Sequence, residues 1–119
     1  MKIVFMGTPD FAVPTLKALA GSPHEVQLVV TGLDKPRGRG QKFIPTAVKN
    51  AAVELGINIY QPQSLKSEEI VDYLKSCPVD LYVVVAFRIL PENIIEIPSK
   101  GVINLHASLL PKYRGAAPI

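Results

Sequence analysis

Asn104 and His106 stand two residues apart in an apolar stretch, Val-Ile-Asn-Leu-His-Ala-Ser-Leu-Leu-Pro over residues 102–111. The residues around them read as a strand, and in a strand positions i and i+2 share a face. A carboxamide and an imidazole then stand side by side, with Ile103 and Leu105 expected to turn the other way into packing. Such a pair suits acyl transfer involving an amine. The imidazole titrates near neutral pH, so it can take a proton from an attacking amine or pass one to a leaving amine. The carboxamide can donate a hydrogen bond to a developing oxyanion, worth roughly 3–4 kcal/mol in acyl-transfer sites. The Ser-Leu-Leu-Pro turn that follows puts the pair at the carboxyl end of its strand, where open parallel sheets bind ligands. His24, in a Gly-Ser-Pro-His turn, has no such companion and reads as non-catalytic.

A second stretch carries charge. Between residues 35 and 49 there are five cations, Lys35, Arg37, Arg39, Lys42 and Lys49, and no acid. That is a local positive field of the kind that attracts phosphates. Gly38 and Gly40 lie among the cations and let backbone approach a partner, while arginine offers bidentate phosphate contacts. A segment that orders on binding nucleic acid fits this composition. Gly-Thr-Pro-Asp at residues 7–10 occupies the position of a phosphate-binding turn, but the glycine spacing of a dinucleotide fingerprint is missing. A tight connection beside the crevice is the better reading. Cys77 stands alone, which excludes an internal disulfide and a multi-cysteine zinc site, and it reads as an inert structural thiol before Pro78.

The elements that position these groups alternate. Residues 2–6 read as a strand, 10–20 as a helix ending at Gly21 with Phe11, Leu16 and Leu19 as its apolar positions, and 25–31 as a second strand. Residues 32–44 read as a long polar loop. Pro45 opens a helix to about Leu55, stopped by Gly56, and residues 57–60 form a short strand. Ser67 reads as the N-cap of a helix to about Ser76, with Glu68 and Glu69 at its positive end. Residues 80–87 are an almost unbroken apolar run, as in a central parallel strand covered on both faces. A helical turn over 91–96 and a fifth strand over 101–106 complete the pattern. The expected fold class is α/β: a Rossmann-like, doubly wound, mostly parallel sheet. The length of 119 residues fits one domain, and a hydrophobic share of 48% excludes a disordered chain. No apolar run reaches the roughly 18 residues of a membrane span, so a cytoplasmic protein is the expectation.

Three segments together resemble the methionyl-tRNA formyltransferase family: Met-Gly-Thr-Pro-Asp-Phe-Ala at 6–12, Asp-Lys-Pro-Arg-Gly-Arg-Gly at 34–40, and the stretch from Asn104 to Ile119. The likeness runs through the chain in the same order and spacing. It implies formyl transfer from 10-formyltetrahydrofolate to the amino group of initiator methionyl-tRNA, with Asn104 and His106 catalytic and no metal. It implies folate contacts from Phe87, Arg88, Ile89 and Leu90 and from Ser108, Leu109, Leu110 and Pro111. The loop over 34–42 would meet the tRNA through Lys35, Arg37, Arg39 and Lys42, with Arg39 the most important charge. Where most of the family reads Ala-Tyr-Gly-x-Ile-Leu-Pro, this chain reads Ala-Phe-Arg-Ile-Leu-Pro over 86–91, one residue shorter and with Arg88 in the turn. The family also uses an aspartate beyond position 119, further strands and a C-terminal tRNA-binding barrel. The likeness therefore implies that residues 1–119 are an N-terminal part of the catalytic domain, truncated after the fifth strand and inactive alone. The last strand would then be a bare apolar edge, so self-association is expected.

Two other readings use the same residues. Another folate-dependent formyltransferase, or a formyltetrahydrofolate hydrolase, would act on a small substrate. Such a substrate has no need of five cations. A non-catalytic module would hold a folate or nucleotide and do no chemistry, and its binding would survive loss of the His106 imidazole.

Overall fold

The computed structural model describes residues 1–37 and 42–105. Five parallel strands form one sheet: β1 (Lys2–Gly7), β2 (Glu25–Val30), β5 (Ile59–Tyr60), β6 (Leu81–Val85) and β7 (Val102–Leu105), in the order β5-β2-β1-β6-β7. The chain first winds outward from β1 through β2 to β5. It then returns to the other side of β1 for β6 and β7. The reversal of direction between β1 and β6 makes a topological switch point, and side-chain crevices open there at the carboxyl ends.

Alternating residues of the buried strands feed two cores, which is why the strands read as continuous apolar runs. On one face Ile3, Phe5, Val29, Val83 and Val85 pack under Leu16 of α1 (Val13–Ala20) and Val48, Ala51 and Ala52 of α2 (Ala47–Leu55). On the other, Val4, Met6, Val30, Tyr82 and Val84 pack under Ile70 and Leu74 of α3 (Glu68–Lys75) and Ile94 of α4 (Glu92–Ile95). The doubly wound α/β expectation holds. Among the described residues no helix is long and apolar enough to cross a membrane.

Local chemistry sets the helix ends. Thr46, not Pro45, caps α2: its Oγ1 accepts from the Lys49 amide at 3.0 Å. Gly56 closes that helix in the left-handed region at φ 72°, which favours glycine. Ser67 occupies the N-cap of α3, yet its hydroxyl makes no capping bond. The first helix is split, with a 3-10 turn over Asp10–Ala12 ahead of α1, and Phe11 on that turn is exposed rather than packed.

Two further expectations are corrected. The segment read as a loop contains an antiparallel hairpin, β3 (Lys35–Arg37) and β4 (Lys42–Ile44), with Pro36 opposite Phe43. A two-stranded ribbon tolerates Pro36 because an edge strand need not donate on both sides. Ile103 and Leu105 do not turn into packing; they are 47% and 42% exposed. They pair in register with Val83 and Val85 and so lie on the α1/α2 face. Those helices sit over the middle strands, and β7 is the edge strand among the described residues.

Candidate functional site

The carboxyl ends of β6 and β7 bring five of the expected site residues together: Asn104, Phe87, Arg88, Ile89 and Leu90. Asn104 is paired in register with Val84 and shares a face with Val102, so it lies on the α3/α4 side. It is exposed, and it lines a depression of about 260 Å³. The segment leaving β6 supplies the facing wall, with Phe87, Arg88, Ile89 and Leu90 all contributing, and Ile95 and Val102 close it. The carboxamide thus meets the 87–90 segment at a rim that solvent reaches, on walls that are mainly apolar.

Backbone geometry makes the facing wall. Ala86 turns the chain out of β6 with a φ of 50°, a left-handed conformation that a residue with a Cβ rarely adopts. Arg88 then anchors the segment. Its guanidinium donates to the carbonyls of Pro62 and Gln63 at 3.0 and 3.2 Å, and its carbon lies 5.0 Å from the centre of the Phe87 ring. The charge of Arg88 is therefore engaged with main chain as well as bordering the cavity. Gly7 ends β1 at the switch point; a Cβ there would stand 2.9 Å from the Val85 carbonyl oxygen. Only a bare backbone lets β1 and β6 run together to that point.

His106, Ser108, Leu109, Leu110, Pro111 and Arg39 lie outside the described residues. Lys35 and Lys42 are exposed on the hairpin, opposite ends of which also carry Arg37 and Ile44. The hairpin follows β2 and the cavity follows β6, with β1 between them. At about 4.8 Å per strand the two lie roughly 10 Å apart along one rim.

Sequence reasoning missed what roots the hairpin. The fifth cation, Lys49, is not free: its Nζ donates to both oxygens of Asp34, at 3.1 and 3.0 Å. Gln61 Nε2 donates to Asp34 at 2.8 Å and to the Gly32 carbonyl at 2.9 Å. The bonds from Gln61 and then Lys49 hold the Asp34 carboxyl below its ordinary pKa. Buried Thr31 shares a hydrogen bond with Thr46 at 2.8 Å, and Thr8 Oγ1 accepts from the Gly32 amide. The available signal was a set of polar residues, Thr8, Thr31, Thr46 and Gln61, one or two positions past the strand ends.

Other groups carry less chemistry. His24 Nδ1 lies 3.0 Å from the amino terminus, at the amino ends of the strands. Cys77 is free and packs partly buried against the α3 core. A groove of about 970 Å³ opens beside Lys2, Glu25 and Asp80, at the strand ends opposite Asn104. Among the described residues no cluster of three metal-ligating side chains occurs.

Comparison with known proteins adds the following. The family model described as formyl transferase matches residues 1–119. The chain is 52% identical over 120 residues to a protein of Moorella thermoacetica named methionyl-tRNA formyltransferase. It is 56% identical over 121 residues to one of Sulfurihydrogenibium sp., and 55% over 120 residues to one of Clostridioides difficile, both of the same name. In each case the match takes in 100% of this chain and 39% of the relative.

Proposed function

Because the chain belongs to the formyl transferase family, we propose that it serves formyl transfer from 10-formyltetrahydrofolate to the amino group of methionine on initiator tRNA. The observation that carries this reading is the meeting of Asn104 with the 87–90 segment around one open depression. A volume of about 260 Å³ falls just short of the roughly 300 Å³ at which ligand pockets begin. It suits a flat ring system more than a whole folate. Phe87, Leu90, Ile95 and Val102 offer that ring apolar walls, and Asn104 belongs to the same lining.

The residues support a simple acyl transfer. The methionyl amine attacks the formyl carbon, and the carbonyl electrons move onto oxygen. Asn104 donates a hydrogen bond to that oxyanion, which acts most when the charge has formed. His106, placed by the sequence two residues on, accepts the proton that the amine loses. The carbon–nitrogen bond to the folate then breaks, and the folate nitrogen takes up a proton from the imidazolium or a water beside it. Ser108, Leu109, Leu110 and Pro111 complete the folate side in this reading. The hairpin cations Lys35, Arg37, Arg39 and Lys42 hold tRNA phosphates near the same rim. Relatives named for methionyl-tRNA favour this substrate over a small amine.

The test is formyl transfer by a chain extended to the full length of its relatives and carrying Asn104→Ala. The expected loss in kcat is about 100- to 1,000-fold, the usual consequence of removing one oxyanion donor. KM for the folate should change much less. Undiminished turnover would remove Asn104 from the chemistry, and equal turnover on a small amine would favour the small-substrate reading.

A further inference from the structure

We propose that Asp34, Gln61 and Lys49 form an anchor that sets the pose of the basic hairpin, and so act as positioning residues for RNA without touching it. This rests on the reading that the hairpin meets tRNA. The hairpin has two strands of three residues each. A ribbon that short is marginal alone in water, so its direction must come from its roots.

Both roots are tied. On the outgoing side, Gln61 Nε2 bridges the Gly32 carbonyl and the Asp34 carboxylate, the last groups before β3. Thr8 Oγ1 accepts from the Gly32 amide. On the returning side, Thr46 bonds Thr31 and caps α2, and Lys49 one turn later reaches back to both oxygens of Asp34. Gln61 follows β5, Lys49 belongs to α2, and Asp34 follows β2. Three separate elements therefore converge where the cationic strands begin.

The placement of Asp34 conflicts with a purely electrostatic account. A carboxylate next to Lys35 repels phosphate, and it also cancels the charge of Lys49. If attraction alone mattered, Asp34 would weaken RNA binding. The anchor predicts the opposite sign.

The experiment measures binding of initiator tRNA to the wild-type chain, Asp34→Asn and Gln61→Ala, each extended to the full length of its relatives, at a temperature where melts show all three folded. It is paired with hydrogen exchange at the amides of residues 42–44. Asp34→Asn keeps the shape but removes the negative charge, and should weaken binding roughly tenfold, the scale of a lost charge-assisted hydrogen bond. Gln61→Ala changes no charge and should still weaken it several-fold. Exchange at 42–44 should quicken in both, with β1 unchanged. Equal or tighter tRNA binding by Asp34→Asn, or unaltered exchange at 42–44, overturns the anchor. A wild-type chain without tRNA affinity defeats the RNA reading of the hairpin instead, while exchange still decides whether the anchor holds the strands.

Discussion

Replacing Arg88 by alanine should loosen the wall that faces Asn104, and the size of the effect follows from its contacts. Two hydrogen bonds from a charged donor are lost, to the carbonyls of Pro62 and Gln63. Fully buried, each would be worth roughly 1.5–3 kcal/mol. Arg88 is exposed, and solvent replaces much of that. About 1 kcal/mol for the pair is reasonable, with another ~0.5 kcal/mol from the guanidinium over Phe87. These contacts offset the left-handed turn at Ala86, a conformation that costs on the order of 1 kcal/mol. The net loss of about 1.5 kcal/mol should lower Tm by roughly 6 °C in a domain of this size. Affinity for a stable folate analogue should fall only a few-fold, because the wall moves but its apolar residues remain. Arg88→Lys should lie between, since one ammonium cannot reproduce a fork spanning two carbonyls. Calorimetry gives both quantities. An Arg88→Ala chain that melts like wild type while losing folate binding a hundredfold would refute the clasp. It would return the guanidinium to the role of direct ligand.

Four further outcomes are expected. The Tyr82 hydroxyl is buried without a partner among the described residues, and Tyr82→Phe should leave the urea midpoint unchanged or raise it; a clear drop would reveal a hidden acceptor. Burial also raises the Tyr82 pKa above its ordinary 10.0, so the unfolded chain gives up that proton first. Wild-type stability should fall as pH rises beyond 10, and Tyr82→Phe should flatten that limb in a pH series of melts. Gly7→Ala would push a Cβ against the Val85 carbonyl and Ala12, and should cost about 2 kcal/mol in urea unfolding; a cost under 0.5 kcal/mol would show that β1 and β6 can part. Ile103 and Leu105 leave an apolar edge, so the 119-residue chain should self-associate at high concentration in gel filtration, and Ile103→Lys with Leu105→Lys should restore a monomer; a wild-type monomer throughout would argue against that edge.

The fold was legible because its signal is repetitive. Runs such as Leu81–Val85 and Lys2–Gly7 have apolar residues on both sides of the pleat, and only a doubly covered parallel sheet buries both. The hairpin was not legible by the same rule. Lys35, Pro36 and Arg37 show no alternation, and a three-residue strand with a proline looks like loop. What holds it is a set of single hydrogen bonds between residues 15 to 29 positions apart, and no periodicity records those. Ile103 and Leu105 were misread for a related reason. Alternation assigns a side chain to a face, but whether a helix covers that face depends on where α1 and α2 land.

The site divides in the same way. Asn104 could be picked out because its residue type is out of place in an apolar strand. The residues that aim the site, by contrast, look ordinary in sequence. Residues 61–63 follow β5 at one edge of the sheet, yet Arg88, three residues past β6, reaches the carbonyls of Pro62 and Gln63. Gln61 holds the root of the hairpin, and the next two carbonyls hold Arg88. One short connection thus braces both the cationic arm and the wall facing Asn104. With β1 between β2 and β6, the segments leaving those two strands lie two strand spacings apart along the rim. The switch in strand order therefore does more than open a crevice: it lets three residues of the connection between β5 and α3 fix the spacing between the group proposed to hold phosphate and the group proposed to hold the oxyanion.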